Sequence, residues 1–354
     1  MERKKRSLLL CLLLFSIALF GGNAYVVNSA SQTLSKINLE SGVVDNKFVT
    51  LGQYEGSAPN KIAIVDNFAL VVVTYENCVQ KINLTTGETV CYISLGDSSF
   101  PNDIIVEGAF AFVTGNKSCK LYKINISDNT VVGSVDVGLA PQGLKVVNGN
   151  VWVLNTGFVS SGVYETGTVS VVDPADMTVL QTIETSLNPA NMVQVNENVY
   201  VVCTGDYGSE LGKISVIKTP ENTVTETIEI GGTPASIVCV NNKFYLGNSW
   251  PAGVYVYDFI NATIESTPED KVFKGGNFLE MGDEYLAVID GGDYVQNSSV
   301  YLYDLTDNSL VAEYELGVGA VHIKFDSDFS DADEDIIVNT FKLQNYPNPF
   351  NPTT

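Results

Sequence analysis

The sequence predicts an all-β fold, a seven-bladed β-propeller built of four-stranded antiparallel blades, and three observations predict it. A unit of about 40 to 48 residues repeats along the chain, and such a period marks a stacked-repeat architecture. Each unit alternates short apolar runs with Asp, Asn, Gly and Thr turns, which is the period-two pattern of strands rather than the wider spacing of helices. The two ends of the array are also incomplete in complementary ways, so one can complete the other.

Each unit begins with a turn that usually contains proline. These turns read SAPN at Ser57–Asn60, SFPN at Ser99–Asn102, LAPQ at Leu139–Gln142, LNPA at Leu187–Ala190 and GTPA at Gly232–Ala235. KGGN at Lys274–Asn277 and GVGA at Gly317–Ala320 are degenerate copies. A second strand follows the first in each unit, as in AYVVNS from Ala24, VWVLNTG from Val151 and VYVVCTG from Val199. A hairpin closes the unit, as in VQKINLTTGETV from Val79 and VSVVDPADMTVL from Val169. Seven second strands and seven hairpins can be counted. A single unit cannot bury both its faces, whereas units arranged radially pack sheet on sheet and leave few open edges. The first unit lacks its opening strand, and Ala320–Phe325 is an opening strand with no unit behind it. The expectation is that this last strand joins the blade begun at Tyr25 and closes the ring.

These repeats resemble the YVTN-type propellers of secreted and surface-layer proteins, in the YncE-like group, over roughly Ala24 to Phe325. The resemblance implies the fold and says little about a ligand. A second resemblance lies at the C-terminus. LQNYPNPFNP (Leu343–Pro352), within Phe341–Thr354, is similar to the opening of the type-A sorting domain carried by type IX secretion cargo, and only that opening portion is present in the sequence. It implies recognition by an export and sorting machinery and an extracellular or cell-surface destination. The expected organisation is therefore a signal peptide (1–24), a propeller (25–325), an acidic linker (326–340) and the start of a sorting domain (341–354).

The signal reading rests on Arg3-Lys4-Lys5-Arg6 followed by the apolar run Leu8–Phe20, which is too short to span a bilayer. GNA at Gly22–Ala24 suits cleavage, and a cut one or two residues earlier suits it equally. No transmembrane segment is expected, and the protein is read as a monomer.

The formal charge is −22, and both arginines, Arg3 and Arg6, lie in the signal. Without the four signal cations and Glu2, 15 lysines face 40 acids. Nucleic-acid binding depends on cations that displace counterions from phosphates, so that class of partner is excluded here. Five cysteines follow the signal: Cys78, Cys91, Cys119, Cys203 and Cys239. An odd number leaves at least one unpaired within the chain. Cys203 and Cys239 stand at apolar strand positions, and Cys78 and Cys91 share a hairpin but are offset, so their pairing stays open.

The inventory for catalysis is poor. The chain has one histidine, His322, on the expected closing strand, where it reads as a structural residue. There is no nucleophile elbow beside it, and no catalytic residue or cofactor is assigned. Asp326, Asp328, Asp331 and Asp333 in the linker are weak calcium candidates, because their spacing is not that of an EF-hand; a solvated linker is the plainer reading.

A binding face is better supported. In a four-stranded meander, the loop after the second strand and the link between blades emerge at the same end. The loops after the second strand lengthen in the later units and carry Phe158, Tyr164, Tyr207, Trp250 and Tyr294, with Asp206 and Asp293 beside them. Exposed aromatics on a rigid scaffold suit a protein, peptide or glycan partner; alternatively these rings pack their own loops. The sequence therefore reads as an exported, non-catalytic binding propeller. A channel-centred enzyme of lactonase or quinoprotein-dehydrogenase type and a structural surface-layer component are the alternatives.

Overall fold

The computed structural model describes residues 22–282 and 285–326. Within them lie seven four-stranded antiparallel sheets arranged in a ring, with two single 3-10 turns, Thr74–Glu76 and Pro268–Asp270, as the only helical segments. The expected closure is present. Blade 1 runs Val44–Thr50, Thr33–Asn38, Asn23–Asn28 and then Ala320–Phe325. The closing register pairs Ala24 with Phe325, Val26 with Ile323 and Asn28 with Ala320. Asp326 adds a latch just beyond that strand: its carboxylate accepts from the Asn23 backbone N–H and, at 2.7 Å, from Asn23 Nδ2. The first strand thus begins at Asn23, two residues ahead of the boundary read from the sequence.

Strand position follows from residue type. The innermost strands of blades 2 to 6 are Pro59–Val65, Pro101–Glu107, Pro141–Val147, Pro189–Val195 and Pro234–Val240. Proline suits the first residue of a strand, where no ladder N–H is needed. Ala58, Phe100, Ala140 and Asn188 precede four of these prolines with φ of 50°, 49°, 52° and 60°, turning the chain sharply into the axis. The second strands are apolar on both faces and buried, as in Asn150–Asn155. The outermost strands, such as Thr178–Glu184 and Thr223–Glu229, carry Thr and Glu and are mostly exposed.

The core lies between blades rather than within them. Successive residues of a strand point to opposite faces, so each blade supplies two interfaces. In blade 1, Ala24, Val26 and Ile323 pack with Tyr285, Ala287 and Leu302 of blade 7. Tyr25, Val27 and Leu34 turn the other way, onto Ile62, Val71 and Ile82 of blade 2. The hairpin at the foot of most blades is set by an Asn or Asp that ends the third strand. Asn83 Oδ1 accepts from Thr85 N at 2.9 Å, and Asp173 Oδ1 from Ala175 N at 2.7 Å. The repeated KIN and VVD signatures are thus turn caps.

The cysteines are all free thiols among the described residues. Cys78 stands opposite Ser94 and Cys91 opposite Lys81, so the two thiols on that hairpin do not face each other.

Candidate functional site

The links between blades and the loops after each second strand share one end of the disc, as a meander requires. Six aromatic rings of the described residues are strongly exposed: Trp250 (80%), Tyr54 (71%), Tyr75 (62%), Tyr207 (60%), Tyr294 (59%) and Phe158 (42%). All six lie on that end. Tyr75, Phe158, Tyr207, Trp250 and Tyr294 are in loops after second strands, and Tyr54 is in the link between blades 1 and 2. Among the described residues, the opposite face presents no ring so exposed.

Phe158 and Tyr164 sit on a small projecting hairpin, Phe158–Ser160 with Val163–Tyr164, that was not foreseen from the sequence. Their rings meet edge to face at 5.5 Å between centroids, so Tyr164 braces Phe158 and is less exposed than it. Tyr207 and Tyr294 are matched positions in blades 5 and 7. Both have φ of 62°, a left-handed conformation that costs a side-chain-bearing residue about 1 kcal/mol or more. The preceding aspartate holds each turn. Asp206 accepts from Gly208 N (2.7 Å), Glu210 N (2.9 Å) and Ser209 Oγ (2.9 Å). Asp293 accepts from Val295 N (3.0 Å) and Gln296 N (2.9 Å). These hydrogen bonds hold both carboxyls below their ordinary range. The two aspartates therefore shape the loops that display the tyrosines, and much of their accepting capacity is already committed.

Tyr54, Tyr75 and Phe100 were not singled out from the sequence because the early loops are short and Tyr54 lies in a link between blades. Glu76 Oε1 accepts from Gln53 N (2.6 Å) and Tyr54 N (2.9 Å), and Gln32 Nε2 donates to the Tyr54 carbonyl at 2.7 Å. Tyr75 packs edge to face on Phe100 at 5.6 Å, and Lys117 Nζ stands 4.7 Å from the Phe100 centroid. The one signal that could have found them is the position of each aromatic relative to strand order.

The second feature is the axis. The register places two tiers of side chains on the innermost strands. Lys61, Asp103, Asn191, Phe278 and His322 occupy the tier nearer the aromatic face; Lys145, Glu280 and Lys324 occupy the next one. All of these except Phe278 line a cavity of about 130 Å3. Lys324 Nζ donates to Glu280 Oε1 at 2.7 Å. Asp103 accepts from Ile104 N (2.8 Å) and Leu144 N (3.1 Å), and burial pushes its carboxyl up despite Lys61 and Lys324 nearby. His322 Nδ1 accepts from Ile62 N at 3.3 Å, so the imidazole carries its proton on Nε2. Burial, with Lys61 and Lys324 close by, holds this imidazole well below its ordinary range.

No group of three or more His, Cys, Asp or Glu side chains among the described residues is arranged to hold a metal ion. Of the calcium candidates, Asp326 serves the ring closure, while Asp328, Asp331 and Asp333 lie outside the described residues, as do most of the signal, the rest of the linker and the sorting-domain start. No described helix is long and apolar enough to cross a membrane.

No protein-family model matches the chain, and none of the curated proteins does. Solved structures do. A chain of the Kuenenia stuttgartiensis hydrazine synthase superposes with a TM-score of 0.62 at 15% identity, over 76% of this chain and 91% of that one. A functionally unknown protein from Desulfotomaculum acetoxidans DSM 771 gives 0.64 at 14% identity, over 86% and 98%. The computationally designed Ika8 protein gives 0.57 at 12% identity, over 85% and 86%. At such identities the likeness is one of fold, and one fold carries many functions.

Proposed function

We propose that this chain is an exported, non-catalytic binding propeller whose loop-bearing face takes a protein, peptide or glycan partner. The observation that carries the reading is the segregation of all six strongly exposed rings to one end of the disc. Rings left in water cost stability or solubility unless something covers them, and aromatic residues dominate binding hot spots. Two of these rings are displayed from left-handed turns capped by aspartate, a backbone state that tends to persist where function needs it. The resemblance to YncE-like repeats and to the sorting-domain opening, with the basic and apolar N-terminus, supports export to the cell surface or beyond.

The test is an array of glycans and peptides probed with the purified protein and with Trp250→Ala and Tyr207→Ala variants. Removing an exposed ring should leave the thermal midpoint within about 2 °C of wild type, because surface changes rarely exceed about 0.5 kcal/mol. Loss of a central anchor should weaken binding by about thirtyfold or more. Equal signals from all three proteins would overturn the assignment of the face.

A further inference from the structure

The charge beside the exposed rings is of one sign. Tyr54 is followed by Glu55, Tyr75 by Glu76 and Tyr164 by Glu165, while Asp206 precedes Tyr207 and Asp293 precedes Tyr294. None of these five carboxylates forms a salt bridge with a lysine among the described residues. The lysines toward this end are mostly committed: Lys120 pairs with Asp136, Lys213 with Glu210 and Glu229, and Lys274 with Glu313. Lys117 stands with its ammonium 4.7 Å from the centroid of Phe100, the ring that packs on Tyr75. The face therefore already seats one ammonium on an aromatic ring.

The hydrogen bonds that these carboxylates make separate two kinds of partner. Glu76, Asp206 and Asp293 accept from nearby backbone N–H groups. A glycan hydroxyl needs a free acceptor, and much of that capacity is used. A cation needs only the charge, which neutral N–H donors leave in place. An ammonium or guanidinium set on an exposed ring beside such a carboxylate gains from both. Each contact of this kind is weak in water, so affinity requires several on one chain. The rings of blades 4, 5, 6 and 7 stand on equivalent, successive loops that allow it. Resting on the reading of this end as a binding face, we propose that its partner is an extended polypeptide segment rich in lysine or arginine, its cations seated on rings such as Tyr207 and Tyr294 and offset by the carboxylates beside them. The rings make the surface, and the charge selects what docks there. The opposite turns carry acids as well, such as Glu40 and Glu221, but among the described residues no ring so exposed.

The probe is a labelled synthetic peptide that alternates lysine with glycine, with a matched peptide carrying glutamine in place of lysine as control. Binding to the full chain is read by fluorescence anisotropy at an ionic strength of about 0.15 M, where distant surface charges are screened. The lysine peptide is expected to bind and the glutamine peptide not to. Tyr207→Ala and Trp250→Ala should each weaken binding by about threefold or more, the scale of one exposed cation–π contact. Tyr207→Phe keeps the ring and should retain it. Glu55→Gln combined with Glu165→Gln, both exposed, should weaken it as well. Glu40→Gln combined with Glu221→Gln makes the same change of charge on the opposite turns and should leave it unchanged. Equal weakening by the two double variants, or no effect of the ring substitutions, would mean attraction by net charge alone and overturns the proposal. Absence of lysine-peptide binding overturns it too. In that event a neutral oligosaccharide or peptide captured through Trp250 and Tyr207 leaves the binding face standing, and an array without any ligand takes that reading down with it.

Discussion

Replacing Ile323 by alanine tests how the ring is held shut. Ile323 is buried to 1% exposure on the closing strand, opposite Val26. It packs with Ala24, Ile37, Tyr285, Ala287 and Ile289, so it ties the closing strand to the rest of blade 1, the one junction of the ring that the covalent chain does not make. The substitution removes three carbons. At about 0.8 kcal/mol per buried carbon the transfer loss is about 2.4 kcal/mol, and an incompletely collapsed cavity takes the total to about 3–4 kcal/mol. The comparison is Val90→Ala on an outermost strand, where Val90 is exposed and the change should stay within about 0.5 kcal/mol. Urea unfolding followed by circular dichroism measures both. A shift in midpoint without a change in slope is expected for Ile323→Ala. A loss below about 1 kcal/mol would refute the reasoning, because the last strand would then be dispensable to the core.

Other consequences follow from the same contacts. Glu76→Ala removes the acceptor shared by Gln53 N and Tyr54 N, so those two amides should exchange with deuterium about tenfold faster while the strands beside them keep their protection. Because the folded state holds His322 below its ordinary value of about 6.5, its contribution is fully present above that pH and is lost as pH falls toward the folded value. Stability of wild type relative to His322→Gln should fall below pH 6.5 by up to about 1.4 kcal/mol per pH unit, and parallel pH profiles would contradict the neutral buried imidazole. Burial pushes the thiols of Cys78, Cys203 and Cys239 up to about 12. Iodoacetamide at pH 8 should spare these three in the native protein while reaching the partly exposed Cys91 and Cys119.

The architecture was legible because a propeller writes itself into sequence at several levels at once. Proline marks the start of the innermost strand, a run such as VWVLN marks the buried second strand, and an Asn or Asp ends the third and caps its turn. The closing strand was legible for the same reason, since Ala320–Phe325 has the pattern of an innermost strand with nothing after it. The face was legible in part. Trp250, Tyr207, Tyr294 and Phe158 stand in loops long enough to be noticed, whereas Tyr54 and Tyr75 stand in short connections where exposure depends on the tertiary arrangement. The roles of Asp206 and Asp293 were hidden because a carboxylate that caps its own turn and one that awaits a ligand look alike in sequence. The axial cluster was hidden most completely. Lys61, Asp103, Lys145, Glu280 and His322 are separated by about 40 residues or more along much of the chain, and only the radial closure makes them neighbours.

The central claim is that binding belongs to the loop-bearing face, and hydrogen-exchange footprinting with the tightest array ligand tests it most directly. The account predicts slowed exchange at 52–57, 74–77, 157–165, 205–211, 249–252 and 291–297, with the opposite turns at 84–87, 126–129, 174–177 and 259–262 unchanged. Protection confined to those opposite turns or to the outermost strands, or no ligand on any array, would contradict it.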